Sequence, residues 1–322
     1  MINQNRLPFA FELYSSGDYR TTVAAIKDMT VRGAGAIGAA AGFAMAQAFL
    51  SNSVQSAQQE ILAARPTAQN LFHAVERVYR AGLSGGSRAA QAEAQVIAEE
   101  DISSCRAIGE HGEHLIHDGA RIMTHCNAGW LAFVDVGTAT APLYHASGKK
   151  AKIKVYVSRT GPRDQGARLT AWELMQEGID HEIIDDNAAG LLMQRGLVDM
   201  VLVGCDRIAV NGDVANKIGT YLKAVAAHEN RIPFYVAAPL SSVDRTCAEG
   251  KDIPIEERSA EEVLYKSGPD AEGILRRINV ANPGSPALNY AFDVTPARYI
   301  TKLITPQGFR EANETSIRQL FE

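Results

Sequence analysis

The chain has 322 residues, 46% of them apolar and 21% charged, and a net charge of −5 at pH 7. This balance suits a globular protein with a sizeable core and gives no overall basic field, so a small metabolite is a better expected partner than nucleic acid. Four widely spaced cysteines (Cys105, Cys126, Cys205, Cys247) form no CxxC pair, which points to a reducing compartment and to neither a disulfide framework nor a zinc cage.

The opening segment, Met1-Ile2-Asn3-Gln4-Asn5-Arg6, carries no apolar signal core, and no uncharged run reaches the roughly 18 residues that a membrane helix needs. A cytoplasmic protein without a membrane partner is expected. From Tyr19 to Asp118 apolar residues recur every three or four positions, as in Ile37, Ala41, Ala44, Met45 and Ala48, and no alternating strand interrupts them; the pattern predicts a helical domain over residues 1–118. Inside it, Gly33-Ala34-Gly35-Ala36-Ile37-Gly38 has the literal G-x-G-x-x-G form of a dinucleotide site, but its lead-in, Ala24 to Met29, reads as helix and not as the required strand. The better reading is that Arg32 and the backbone N–H groups of Gly33 and Ala34 open a helix and meet an anion, with a tight interhelical turn as the alternative. Thr67, after Pro66, is expected to cap a helix carrying Leu71, Phe72, Val75 and Val78, and a further helix is expected over 87–117 with a break near Gly109. His111, His114 and His117 follow at spacing i, i+3, i+6 and read as a solvated face, so neither a metal nor any other cofactor is expected.

After Gly119 the texture changes. Short β-rich runs at 121–124, 152–157, 181–184, 200–203, 233–237 and 299–304 alternate with helical stretches, the sign of βαβ units and an α/β fold with a mainly parallel sheet over 119–322. Two motifs follow strand-like runs: Thr124-His125-Cys126-Asn127-Ala128-Gly129, and Gly204-Cys205-Asp206 continuing to Asn216-Lys217. Both are thereby delivered to the sheet edge where open α/β folds bind ligands. A cysteine often merely packs, but His125, Asn127 and the Ala128-Gly129 turn favour a Cys126 thiolate, which with Asp206 makes an acid/base pair. Cys205 should face the core, and Asp206 has the alternatives of pairing with Arg207 or capping a turn. Lys217 sits in a polar loop before an amphipathic helix (Ile218, Tyr221, Leu222, Val225) as a candidate phosphate grip or a surface lysine. Arg65 and Gln165 are equally open between binding and structure.

Taken together, these segments resemble the 5-methylthioribose-1-phosphate isomerases, whose superfamily also holds ribose-1,5-bisphosphate isomerases and the non-catalytic regulatory subunits of the initiation-factor-2 exchange factor. The likeness runs through Val31 to Ala34, Arg65 to Ala68, Thr124 to Gly129, Gln165 to Ala171, Asp186 to Ala189, Asp206 to Thr220, Ala237 to Leu240, Ile253 to Arg258 and Phe292 to Pro296. It implies an N-terminal helical domain on a C-terminal Rossmann-like domain, a homodimer, and a step of methionine salvage. It also implies Cys126 and Asp206 as catalytic residues, with a sugar 1-phosphate held by Arg32, Gly33, Ala34, Arg65, Gln165, Asn216 and Lys217. Two departures stand out: Gly35 where the family has proline, and Arg159-Thr160-Gly161-Pro162-Arg163 where it has Glu-Thr-Arg-Pro-Arg. The second bears on the C5 substituent of the sugar, leaving 5-deoxyribose 1-phosphate and ribose 1,5-bisphosphate as alternatives.

The expected chemistry follows from a furanose whose C1 oxygen carries phosphate and so cannot open as a free hemiacetal. A protonated Asp206 donates to the ring oxygen; then either a Cys126 thiolate moves the C2 proton to C1 or a hydride shifts directly between them.

Overall fold

The computed structural model describes residues 1–51, 54–66 and 68–322. Helix α1 (Tyr19–Lys27) starts at Asp18, whose side chain accepts from the Thr21 N–H in a capping box. Helix α2 (Ala34–Ala48) is almost wholly alanine and glycine and buries nearly every residue. Its small side chains let α1, α3 (Val54–Leu62) and the long α4 (Gln69–Gly112) close around it in a core that includes Ile26, Met45, Ile61, Leu71 and Val78. Gly86, at φ 71° and ψ −165°, breaks α4 just before the expected helix start at Ser87. The break expected at Gly109 is absent. A Cβ at Gly109 would lie 2.8 Å from the His145 ring and 3.1 Å from the Ala141 Cβ, so this glycine serves close packing against α5 (Ala141–Gly148) and does not end the helix. The expected cap at Thr67 lies outside the described residues.

The strands of the second part are β1 (Arg121–Thr124), β2 (Lys154–Ser158), β3 (Asp180–Ile184), β4 (Met200–Val203), β5 (Arg207–Ile208), β6 (Val214–Lys217), β7 (Phe234–Ala237), β8 (Tyr265–Pro269), β9 (Leu275–Asn279), β10 (Phe292–Thr295), β11 (Lys302–Thr305) and β12 (Gly308–Arg310). Every strand read from the sequence is present, with edges displaced by a few residues. The main sheet has seven strands in the order β12-β11-β7-β4-β1-β2-β3, all parallel except β12. Both faces carry apolar side chains. Met123, Val201, Val203 and Phe234 fill one core, and Ile122, Val155, Leu202 and Ile304 the other, as a parallel sheet between helical layers requires. From β1 the chain steps outward through β2 and β3, then returns to build β4, β7 and β11 on the other side. The direction therefore reverses between β1 and β4, the crevice where doubly wound folds bind ligands.

Two smaller sheets escaped the sequence reading: β10-β6-β5 and the β8-β9 hairpin. Their strands are short or polar. The usable signal was Asn211-Gly212, a hairpin turn dipeptide, with Gly212 at φ 89° and a position where a Cβ would lie 2.4 Å from the Ala312 carbonyl carbon.

Candidate active site

From the end of β1 the chain turns through His125, Cys126 and Asn127. Cys126 takes a left-handed φ of 66°, unusual for a side chain with a Cβ and tolerated where neighbours hold it. Its N–H donates to Thr160 Oγ1 at 2.8 Å, and its carbonyl accepts from the Thr170 hydroxyl at 2.6 Å. His125 is buried and anchors the same turn, donating from Nε2 to the Ile218 carbonyl at 2.8 Å. Burial, then the Lys223 charge, pulls its pKa down to about 3, so the ring is neutral and Nδ1 is left as the acceptor.

Across the switch point, β4 ends at Val203 and leads through Gly204 and Cys205 to Asp206. A Cβ on Gly204 would lie 2.6 Å from that of Ala128, so glycine allows the two strand ends to approach. The Asp206 N–H donates to the Ala215 carbonyl at 3.0 Å, and the β5-β6 register pairs Arg207 with Ala215. Continued by one residue, that register sets Asp206 opposite Asn216. The long motif is thus a hairpin that carries the chain away from Asp206 and brings Asn216 and Lys217 back beside it. Lys217 is not in a loop, as its polar neighbourhood suggested, but ends strand β6; it is 7% exposed, donates to the Ala291 carbonyl at 2.8 Å and lies 4.3 Å from the Phe292 ring centroid. The amphipathic helix starts after it, as α7 (Thr220–Glu229), and Asn216 Nδ2 donates to Thr220 Oγ1 at 3.1 Å. Arg207 turns to Asp244 at 3.2 Å, and Cys205 is a core residue whose thiol burial pushes up to about 12.

The helical part closes the opposite side. Gly33 is the N-cap of α2 at φ 95°, and a Cβ there would lie 2.3 Å from the Ala132 Cα, so only glycine fits. The segment before it is helix α1, so the glycine pattern lacks the strand that a dinucleotide site needs. Arg32 donates from Nη1 to Asn127 Oδ1 at 2.7 Å and from Nη2 to the Asn127 carbonyl at 3.1 Å. Arg65 reaches Glu256 at 3.3 Å. Gln165 is 6% exposed, and its Oε1 has no hydrogen-bond partner among the described residues.

Arg32, Gly33, Ala34, Arg65, Cys126, Gln165, Asp206, Asn216 and Lys217 all line one cavity between the helical part and the β1/β4 edge. Sequence reasoning missed Asn70 and Arg258, which line it too. Asn70, in the first turn of α4 five residues beyond Arg65, is buried with an amide oxygen that has no partner among the described residues. Arg258 closes the Ile253 to Arg258 segment and pairs with Glu262 at 2.7 Å. His111, His114 and His117 lie at the end of α4 and just beyond it, away from the cavity lining. In the substituted segment Arg159 pairs with Asp164 and Asp185, while Arg163 pairs with Glu262 and lines a small adjoining cleft with Arg32 and Gln165. At the other departure, Gly35, the Asp101 carboxylate and the Phe133 ring occupy the space that a side chain would take.

The enclosure sets the protonation states. Burial raises the Cys126 thiol, against the pull of Arg32 and Lys217, and the Asp206 charge adds to the rise. The thiolate expected from its neighbours is therefore disfavoured, because desolvation outweighs the nearby positive charge. Burial likewise raises Asp206, opposed by Lys217, Arg32 and Arg65, and lowers Lys217, opposed by the charges of Cys126 and Asp206. A carboxyl whose ionisation burial disfavours, set beside cationic side chains, suits general acid catalysis on a phosphorylated ligand.

A sequence profile described as the initiation factor 2 subunit family matches residues 21–312, and the chain belongs to that family. Among its relatives, a methylthioribose-1-phosphate isomerase from Methylorubrum extorquens is 48% identical, with 100% of this chain and 92% of the relative covered. One of the same name from Methylocella silvestris is 49% identical over 100% and 93%. In three dimensions the chain is similar to the 5-methylthioribose 1-phosphate isomerase of Pyrococcus horikoshii OT3, with a TM-score of 0.87, 41% identity, and coverage of 100% and 92%. It is also similar to a protein of A. fulgidus described as translation initiation factor eIF-2B subunit delta, with a TM-score of 0.83, 38% identity, and coverage of 99% and 96%.

Proposed function

We propose that this chain is an aldose–ketose isomerase that converts 5-methylthioribose 1-phosphate to 5-methylthioribulose 1-phosphate, with Asp206 and Cys126 as the reacting pair. The supporting observation is that residues from five separate segments, 32–34, 65, 126, 165 and 206–217, line a single cavity at the switch point of the sheet. Full-length relatives near half identity bear the corresponding name. A non-catalytic role like that of the regulatory subunits is disfavoured by the retention of both Cys126 and Asp206 in that cavity. The protein acts as a cytoplasmic homodimer, and the division into domains falls near residue 118.

Charge supports a sugar with a single phosphate. Arg65, Arg207 and Arg258 each have a carboxylate partner, whereas Arg32 and Lys217 are in no ion pair with an acid among the described residues. Two cations outside any close ion pair suit one phosphate dianion. The remaining lining includes Met29, Ile37, Phe133, Ile253 and Phe292, which suits a methylthio or methyl group at C5 better than a second phosphate.

In the reaction, Asp206 gives its proton to the ring oxygen as the C1–O4 bond breaks, and the C1-bound phosphate oxygen shares the positive charge left on C1. The Asp206 carboxylate so formed can draw the proton from Cys126; the thiolate then takes the C2 proton, returns it to C1, and recovers the C2-hydroxyl proton as the carbonyl forms. A second route needs no thiolate. In it, C2 passes hydride to C1 while the Asp206 carboxylate accepts the C2-hydroxyl proton, so one residue both gives and recovers the proton.

Phosphorus and proton NMR of the protein with 5-methylthioribose 1-phosphate, 5-deoxyribose 1-phosphate and ribose 1,5-bisphosphate in turn tests the reading. The methylthio or deoxy sugar is expected to convert with the higher kcat/KM. Conversion of the bisphosphate alone, or of none by folded protein, contradicts it. Deuterium from solvent at product C1 identifies the proton route.

A further inference from the structure

Glu173 lies on α6 (Ala171–Gln176), outside the cavity lining and with no exposed surface. Its Oε1 accepts from Asn127 Nδ2 at 3.0 Å and from the Leu131 N–H at 2.9 Å, while Oε2 accepts from the Tyr144 hydroxyl at 2.8 Å. The carboxylate is seated so closely on Gly129 that a Cβ there would lie 1.5 Å from Oε2. Burying a carboxyl is costly, and an apolar side chain of similar volume would fill the same space. A reason for keeping it lies in what Asn127 does.

The Asn127 side chain uses both of its donors and one of the two acceptor sites on its oxygen. Nδ2 donates to Glu173 and, at 3.2 Å, to Thr170 Oγ1; Oδ1 accepts from Arg32 Nη1 at 2.7 Å. Turned by 180°, the amide would set its NH2 group against the guanidinium and its oxygen against the acceptor oxygen of Glu173, leaving two clashes of like polarity. The acceptor on Glu173 therefore fixes which way the amide points. That sense gives Arg32 its partner in the cavity wall.

We propose that Glu173 is a positioning residue for the phosphate grip, acting on Arg32 through the Asn127 amide. The inference rests on the isomerase reading only for its choice of substrate. Because Oε1 is what orients the amide, Glu173→Gln keeps the device: its carbonyl oxygen serves Asn127 and Leu131, and the Tyr144 hydroxyl turns to accept from the new NH2. Glu173→Met removes it.

The test measures kcat and KM for 5-methylthioribose 1-phosphate in these variants, alone and combined with Arg32→Ala. Glu173→Met is expected to raise KM about 10- to 100-fold, the range of a lost charge-assisted hydrogen bond, with a smaller change in kcat. Glu173→Gln should raise it only about threefold. In the Arg32→Ala background, Glu173→Met should add less than about threefold, since the partner it positions is gone. Equal penalties in both backgrounds, or equal damage from Gln and Met, overturn the proposal. If Glu173→Met does not fold, Asn127→Ser carries the same comparison and the same criterion. If the wild type converts none of the sugars, the isomerase reading fails separately, and the non-additivity is read from the Kd of inorganic phosphate by titration calorimetry.

Discussion

The cavity wall supplied by the sheet and the wall supplied by the helical part present different things to a ligand. The sheet wall offers side chains whose protonation burial has shifted, with Cys126 and Asp206 raised and Lys217 lowered. The helical wall offers the start of α2, an arginine held by Asn127, and a glycine that admits no Cβ. The sheet wall is suited to moving protons, and the helical wall, together with Lys217 from the sheet side, to holding an anion still. Bond making then needs little motion of the groups that bind, which is how positioning contributes to rate.

The sharpest way to break this division is to remove one group from each wall. On the proton route Cys126→Ser should lower kcat about 10²- to 10⁴-fold with KM changed little, the scale of a lost acid/base or shuttle group. Arg32→Ala should instead act mainly on KM, by about 10- to 100-fold. Steady-state kinetics on both variants checks this; a KM effect from Cys126→Ser equal to its kcat effect would erase the distinction between the walls.

A smaller effect is expected from beneath the helical wall. Asp101 sits against Gly35, accepts from the Val134 N–H at 2.8 Å, and has its pKa raised by burial to about 6 from an ordinary 3.8. A raised carboxyl favours the fold most when protonated, so its contribution is complete below about pH 3.8 and is lost as pH rises through 6. Asp101→Asn keeps an acceptor for Val134 and does not ionise. The melting temperature of the wild type relative to this variant should therefore fall by about 2–5 °C between pH 5 and pH 7.5. A constant difference across that range would show that Asp101 ionises normally.

Much of this arrangement was legible before any coordinates. The main-sheet strands announce themselves as apolar runs because both faces of a parallel sheet are buried, and the alanine-rich periodicity of α2 marks a helix enclosed on most sides. The resemblance carried the site residues to positions that do line one cavity. What stayed hidden depends on contacts distant in sequence. The strands β5 and β6 are too short and polar for periodicity to reveal, so Lys217 read as a loop residue. Asn70 and Arg258 enter the cavity only because α4 and the 253–258 segment pack beside it. The favoured state of Cys126 was misjudged because sequence shows its positive neighbours but not the desolvation that outweighs them. Glu173, inside an ordinary helical stretch, gives no local sign of its link to Asn127 and Arg32.

The central claim is that Asp206 supplies the proton that opens the ring while the rest of the cavity holds the sugar phosphate. Phosphorus NMR of Asp206→Asn beside the wild type, each with 5-methylthioribose 1-phosphate, tests it most directly. The account predicts that the variant still binds, seen as concentration-dependent broadening or shift of the phosphate resonance, and converts at least about 10²-fold more slowly. Conversion by Asp206→Asn at near the wild-type rate would contradict it.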